Sequence, residues 1–161
     1  MKIVAIKKVW KAIKVTTGKE RQVAKSLEEL GIESYVPAIK VRERHQGKWQ
    51  EVMREILPGY VLLYANWTAE LYYTVKDMWY VYYPLAGMVA QAEIEYLRDY
   101  ELLSYRSEID YSEGKAVYRG PIAAEPERIV KVDKRKGRAL LKFELGEGNM
   151  MKRWLPVTII R

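Results

Sequence analysis

The sequence predicts an α+β fold in two parts, an N-terminal antiparallel sheet with flanking helices and then a small five-stranded β-barrel. The first part mixes helical-period segments with extended apolar runs, which predicts helices packed on a sheet. Beyond Tyr111 the runs are short, rich in β-branched residues and separated by Gly, Pro and Asp turns, which predicts a closed barrel. A length of 161 residues accommodates a domain of about 100 residues and a second of about 50.

The first predicted elements are a strand and a helix. The segment 10–15 is short and rich in β-branched and aromatic residues, so it predicts a strand. Thr17 and Glu20 have the spacing of a capping box, which predicts a helix start. The apolar residues of this helix recur at i, i+4 and i+7, namely Val23, Leu27 and Leu30.

The remaining elements of the first part include a hairpin and two further helices. Residues 34–42 and 49–57 read as two strands, and residues 43–48 have the composition of a hairpin loop. The later segments, in order, are a strand over 60–64, a helix beginning near Asn66 or Thr68, an extended segment over 80–83 and a helix over 92–103.

The C-terminal part contains five predicted strands. They cover residues 115–118, 128–132, 138–145, 150–155 and 157–160. A polar, turn-prone stretch precedes them, so we predict a first domain over 1–104, a linker over 105–112 and a barrel domain over 113–161.

Charge and aromatic residues divide along the same line. The chain has 28 Lys plus Arg and 21 Asp plus Glu, a net charge of +7. After Asp110 there are twelve basic and six acidic residues, so nearly all the net charge lies in the C-terminal third. Fifteen of the nineteen aromatic residues precede Asp110. A basic barrel predicts a polyanionic partner for this part of the chain.

The composition excludes several classes of protein. With no Cys and one His, the chain has no disulfides, thiolate metal sites, Cys nucleophile or His cluster, so we expect no cofactor and no metal. Residues 1–14 contain five interspersed lysines, unlike a signal peptide, and no run approaches the roughly 20 apolar residues of a membrane span. Glu95 and Asp99 read as a solvated helix face without a phosphate cradle or nucleophile elbow. We therefore expect a cytoplasmic, non-enzymatic protein.

Three motifs in series carry a family resemblance. The first is the Trp10-Lys-Ala-Ile-Lys-Val strand with Gly18 and the later segment 31–37. The second is the Leu-Pro-Gly-Tyr-Val-Leu-Leu run over 57–63, and the third is a KOW-like segment over 120–139. Together they resemble the NusG family of bacterial transcription elongation factors, in that family's domain order.

The resemblance implies an NGN domain that binds the clamp helices of the largest RNA polymerase subunit. It places Leu57, Tyr60 and Leu62 in an apolar polymerase-binding depression, with Lys14 beside it on the first strand. Ordinary core burial of the leucines is the competing interpretation. The resemblance also implies an SH3-like KOW barrel that recruits RNA, a ribosomal protein or a termination factor.

Departures from the family pattern favour a specialised paralogue that resembles LoaP, with RfaH as a related kind. Lys11 stands where an aromatic residue is usual, and Leu57 stands where Phe is usual. Ala124 and Glu127 occupy positions that normally carry glycine in the KOW motif. An autoinhibited barrel that refolds as helices is disfavoured, because the β-branched and turn-rich C-terminal segment has little helical periodicity.

Two groups of side chains are predicted to contact nucleic acid. The first is a basic cluster at the hairpin between two barrel strands with further cations around it: Lys134, Arg135, Lys136, Arg138, Lys131, Arg119, Lys152 and Arg153. A solubilising turn is the alternative interpretation of this cluster. The second is Tyr72 and Tyr73, near the position where specialised paralogues contact DNA. They belong to an aromatic group, completed by Trp79, Tyr80, Tyr82 and Tyr83, most of which we expect to pack between helix and sheet.

The resulting hypothesis is a monomeric antitermination and elongation factor. It would bind RNA polymerase through the first domain. Its other surfaces would bind structured nascent RNA, with non-template DNA as a further ligand. Two alternatives stay open. One is a general elongation factor whose barrel binds a ribosomal protein or a termination factor, and the other is a polymerase-independent RNA-binding module of ribosomal-protein type.

Overall fold

The computed structural model describes residues 7–161, and these residues form two compact units. The first unit contains residues up to 36, 57–91 and 144–149, and the second contains 37–56, 92–143 and 150–161. Both units combine helices with mainly antiparallel strands, which confirms the predicted α+β class. Residues 1–6, where the predicted first domain begins, lie outside the described residues, and the predicted domain boundaries stay a prediction.

The described residues form twelve strands and four helices. The strands are β1 Val9–Val15, β2 Glu33–Tyr35, β3 Ala38–His45, β4 Lys48–Glu55, β5 Tyr60–Ala65, β6 Val81–Pro84, β7 Glu108–Asp110, β8 Val117–Arg119, β9 Ile129–Asp133, β10 Arg138–Glu144, β11 Met150–Pro156 and β12 Thr158–Ile160. The helices are α1 Glu20–Glu29, α2 Ala69–Lys76, α3 Gln91–Leu103 and α4 Pro121–Ala124. Two 3-10 turns cover Ser104–Arg106 and Pro126–Arg128.

The first unit is built on a four-stranded sheet in the order β2-β5-β1-β6. Strand β1 pairs antiparallel with both β5 and β6, so it occupies the sheet interior. One face of the sheet packs against α1 and α2. The buried residues of this core are Ile13, Val15, Val23, Leu27, Val61, Leu63 and Val75. The helical spacing of Val23 and Leu27 is therefore confirmed, whereas Leu30 caps the end of α1 and is exposed.

The helix starts of the first unit only partly follow the prediction. The predicted capping box at Thr17 is wrong, because α1 begins at Glu20 with Lys19 as its cap. The Glu20 carboxylate instead accepts a hydrogen bond of 2.6 Å from the Gly18 N–H. The predicted start of α2 is confirmed, since the Thr68 hydroxyl accepts the Leu71 N–H at 3.1 Å.

Lys11 has a buried, structural position on β1. Its Nζ donates to the Gly87 carbonyl oxygen at 2.7 Å and lies 5.1 Å from the centre of the Trp67 ring. Burial lowers the pKa of this amine, and the carbonyl and the ring offset part of its lost hydration. A lysine therefore fills, with these partners, a position where the resemblance led us to expect an aromatic side chain.

Strands β3 and β4 form a two-stranded hairpin in the second unit. Their pairing is continuous from Ala38 opposite Glu55 to His45 opposite Lys48. Gln46 and Gly47 have φ values of 51° and 76°, as a two-residue type I′ turn requires. The six-residue loop predicted over 43–48 is wrong, because polar residues continue the ladder on this largely exposed ribbon.

The C-terminal residues of the second unit form two three-stranded sheets, β11-β10-β9 and β12-β7-β8. All five predicted strands are present, with shifted ends. Strand β7 lies within the segment 105–112 that we predicted as a linker, and it pairs in parallel with β12 and antiparallel with β8. Its three residues are too few to give a recognisable apolar period.

A buried arginine links several elements of the second unit. Arg128 donates to Glu125 at 2.5 Å, to Glu93 and, at 3.2 Å, to the Lys142 carbonyl oxygen. Its guanidinium lies 4.0 Å from the centre of the Tyr96 ring. Burial raises the pKa of the Tyr96 hydroxyl. Two carboxylates and the face of an aromatic ring surround this buried cation. These contacts offset part of the hydration that the guanidinium loses on burial.

Replacing Arg128 should destabilise the chain strongly. Arg128→Met leaves the Glu93 and Glu125 carboxylates without their shared cation, so we expect the free energy of unfolding to fall by about 3–5 kcal/mol. Urea denaturation measures the change. Arg44→Met, at an exposed position of β3, is the matched control and should cost less than about 0.5 kcal/mol. Equal losses for the two variants would contradict this assignment.

Glu43 should titrate at unusually low pH. Two hydrogen bonds from Arg54, at 2.6 and 2.5 Å, lower the pKa of this exposed carboxyl to about 2. A lowered folded-state pKa stabilises the fold above the unfolded value of about 4.3, and that stabilisation is lost as the pH falls through about 2. Side-chain carboxyl NMR measures the titration. Arg54→Gln should raise the midpoint, and a wild-type midpoint near 4 would show that the pair does not form in solution.

Candidate functional site

Lys14 and Tyr60 form the accessible part of the predicted polymerase-binding surface. They are directly opposite each other on β1 and β5, and the Lys14 Nζ lies 4.5 Å from the centre of the Tyr60 ring. Both side chains are half-buried. Leu57 and Leu62 are 1% and 0% exposed, so both side chains are buried in the core of the first unit. The four predicted residues are therefore close in the fold, but only two of them present atoms to a partner.

The predicted basic cluster occupies a tight turn between β9 and β10, which we call the basic turn (residues 134–138). The Asp133 carboxylate accepts the Lys136 N–H at 3.1 Å, and this bond is the main reason that the pKa of Asp133 is lowered. Gly137 has a φ of 63°, which a side chain would strain. The turn exposes Lys134, Arg135 and Lys136 to solvent.

The cations of the basic turn differ in the contacts that their side chains make with neighbouring residues. Lys134 Nζ lies 3.9 Å from the centre of the Tyr111 ring. Arg138 is half-buried, with its guanidinium 4.4 Å from the Trp154 ring and its Nε 3.5 Å from an Asp133 oxygen. These contacts make Arg138 partly structural. Arg135 and Lys136 are exposed, and no ring contact or ion pair is seen for them among the described residues.

The other predicted cations lie on neighbouring strands. Lys131 on β9 and Lys152 on β11 are exposed, and Arg153 on β11 is half-buried. Strands β9 and β11 flank β10 in one sheet. Arg119 differs, because it donates to Glu108 at 2.8 Å and to Asp110 at 3.1 Å. These two carboxylates neutralise its charge, so Arg119 is the least suited of the set to bind a phosphate.

The aromatic group in the first unit is mainly exposed, so our expectation that most of it packs in the core is wrong. Five of its six members are between 42% and 86% exposed, namely Tyr73, Trp79, Tyr80, Tyr82 and Tyr83. Tyr72 is half-buried, with its ring 6.2 Å from Trp67 and 5.3 Å from Tyr73. The reason is that β6 is an edge strand of its sheet and α2 has only eight residues.

A basic pocket in the second unit was not predicted from the sequence. It is lined by Lys40 and Arg42 of β3 and by Tyr105, among others. The alternation of Lys40 and Arg42 along β3 was the available signal, since residues two apart share a strand face. Tyr105 lines the same pocket from a segment that is distant in sequence, which no local pattern reveals.

Residues 7–161 contain neither a metal-ligand cluster nor a membrane-spanning helix. No group of three or more His, Asp or Glu side chains in this range could hold a metal ion. None of its helices is long and apolar enough to cross a membrane. The chemistry available at these surfaces is cation, hydroxyl and aromatic contact.

Comparisons with known proteins give the family. A family model described as NusG, transcription termination factor nusG, matches residues 8–102, and no curated protein matches the sequence. A solved structure of Thermotoga maritima NusG, described by its domain interaction, is 18% identical, with a TM-score of 0.49 and 96% of each chain covered. The MjSpt4:Spt5 complex is 21% identical in both of its conformations. Conformation A has a TM-score of 0.38 with 92% of this chain and 93% of that chain covered, and conformation B has 0.36 with 91% of each. Because the family model covers more than half of the sequence, this chain belongs to the NusG family of transcription factors.

Proposed function

We propose that this protein is a non-enzymatic antitermination and elongation factor that binds elongating RNA polymerase and nascent RNA. In this proposal residues 1–104 contact the polymerase, residues 113–161 contact RNA and residues 105–112 connect them, in a cytoplasmic monomer. The observation that carries it is the family match over residues 8–102, which includes every residue assigned to the polymerase contact.

The polymerase contact is assigned to Lys14 and Tyr60, with the clamp helices of the largest subunit as partner. A half-buried tyrosine held by a neighbouring lysine offers an apolar ring, a hydroxyl and a charge within one small area. Tyrosine is enriched among residues that dominate binding energy at interfaces. Preferential binding to the closed, processive polymerase would shift the population toward that state without any chemistry from this protein.

The RNA contact is assigned to the basic turn with Lys131, Lys152 and Arg153. Exposed cations that neutralise phosphates release condensed counterions, and this supplies affinity that depends on salt. Arg135 has the planar guanidinium suited to bidentate phosphate contact, whereas Lys136 acts as a point charge. Structured nascent RNA is the proposed ligand.

The exposed aromatic side chains support a further contact with non-template DNA. Tyr73 is 62% exposed, and Tyr72 is stacked edge-on beside it. Exposed rings bind single-stranded bases by stacking, which contributes about 1–3 kcal/mol per base.

We also propose the specialised, LoaP-like class, which the departures at Lys11 and Leu57 support. A general elongation factor would bind polymerase equally well but would not need its barrel to bind RNA.

Tyr60→Ala should weaken the association with RNA polymerase by about tenfold, because it removes the ring from the accessible surface. Co-purification with polymerase after nuclease treatment measures the binding, and read-through of a terminator in a purified transcription system measures the function. Leu30→Ala is the matched control, since Leu30 is an exposed apolar residue of the same unit outside the aromatic group. A wild-type chain that never retains polymerase would refute the proposal and favour a polymerase-independent RNA-binding module.

Arg135→Gln with Lys136→Gln should weaken RNA binding and reduce its salt dependence. Loss of two phosphate contacts to single-stranded RNA lowers the slope of log K against log salt by about 1.4. Fluorescence anisotropy at several salt concentrations measures both quantities. Lys25→Gln with Lys48→Gln removes the same charge from two other exposed positions and should change neither. Identical slopes for both double variants would show that net charge, and not the basic turn, drives binding.

A further inference from the structure

The basic pocket of the second unit lies outside the residues assigned above. It has a volume of about 210 Å³ and is formed by β3, the 3-10 turn Ser104–Arg106 and the β11–β12 connection. The lining residues that matter here are Lys40, Arg42, Ser104, Tyr105, Val157 and Thr158.

One wall of the pocket supplies positive charge. Lys40 and Arg42 are two residues apart on β3, so they share one face of the strand, and both are exposed. Among residues 7–161 neither takes part in an ion pair. Arg42 lies 5.7 Å from the Trp49 ring, and a cation–π contact leaves the N–H donors of a guanidinium available. Glu51 lies opposite Arg42 on β4 and Met53 lies opposite Lys40, so the charge of Lys40 is the less compensated of the two. Together the two side chains offer cationic donors suited to a phosphate.

The lining of the pocket also includes an aromatic ring and hydroxyl groups. Tyr105 is 72% exposed, although Arg106 Nε donates to its hydroxyl at 3.0 Å and the Arg106 guanidinium lies 5.4 Å from its ring. An exposed ring fixed in this way is a stacking platform for a base. The side chains of Ser104 and Thr158 add hydroxyl groups, which match the hydrogen-bonding capacity of a ribose 2′-OH.

The pocket and the basic turn are connected through the backbone. Val157, which lines the pocket, donates its N–H to the Gly137 carbonyl oxygen at 2.9 Å. Arg161 donates to the Lys134 carbonyl oxygen at 3.4 Å, which ties the end of the chain to the same turn. These contacts place the β11–β12 connection, which lines the pocket, next to the basic turn.

We propose that this pocket binds one unpaired nucleotide of an RNA strand whose adjoining phosphates contact the basic turn. Lys40 and Arg42 hold the phosphate, Tyr105 stacks on the base, and the hydroxyl groups of Ser104 and Thr158 face the ribose. The inference rests on the proposed RNA binding and adds a nucleotide site outside the barrel strands that carry the basic turn.

The test uses the full chain and a fluorescein-labelled, single-stranded RNA of 12 nucleotides and mixed sequence. Tyr105→Leu removes stacking while keeping an apolar side chain, so the affinity should fall about fivefold or more without a change in the salt slope. Lys40→Gln should reduce the affinity and also lower the slope by about 0.7. The matched controls Leu102→Ala and Lys48→Gln alter exposed positions outside the pocket and should bind like the wild type.

A second measurement does not depend on variants. RNA carrying 4-thiouridine should crosslink in the wild-type chain to the peptide that contains Tyr105, as well as to the basic turn. Crosslinks confined to the basic turn would overturn the proposal. So would unchanged affinity of both pocket variants while Arg135→Gln with Lys136→Gln binds weakly, and in that case the proposed function stands. A wild-type chain that binds no RNA refutes both, and tighter binding of single-stranded DNA of the same sequence overturns the assignment to RNA.

Discussion

The second unit depends on the buried guanidinium of Arg128. Removing a charge from water costs several kcal/mol, and this cation recovers that cost only while Glu93, Glu125 and Tyr96 stay in place. Glu93 and Tyr96 belong to α3, and Glu125 directly precedes the 3-10 turn that ends at Arg128, so these contacts connect two segments that are distant in sequence. The 3-10 turn that carries Tyr105 follows directly on α3 in the chain.

Within each unit, most of the surfaces assigned to function lie at turns, at strand edges or on short elements. The basic turn connects two strands, the basic pocket lies beside an exposed hairpin, and the exposed aromatic residues lie on an edge strand and a short helix. Side chains at such places need not fill a core, so their chemistry is free to serve a ligand. Lys14 and Tyr60 differ, because they lie within the central sheet of the first unit, where rigid strands hold the contact in one geometry.

Periodicity and turn chemistry predicted most of the elements because those signals are local. The helical spacing of Val23 and Leu27 and the cap at Thr68 needed no tertiary information. The predictions failed where tertiary context decides. No local pattern shows whether another element will cover the aromatic residues, and in the structure most of them are exposed. The hairpin ladder also extends through polar residues, whose composition is typical of a loop. The approach of Lys40 to Tyr105 joins segments more than sixty residues apart, so the pocket could not be predicted.

The basic turn separates what sets its shape from what sets its affinity. Its conformation depends on Asp133, on Gly137 and on backbone hydrogen bonds, including that from Val157. None of these requires a particular side chain at positions 135 and 136, whereas Lys134 also contacts the Tyr111 ring. Related chains can therefore acquire, lose or reverse charge at positions 135 and 136 while the strands on either side stay intact. In evolutionary terms the turn is a site at which ligand preference can diverge between paralogues at almost no cost to folding.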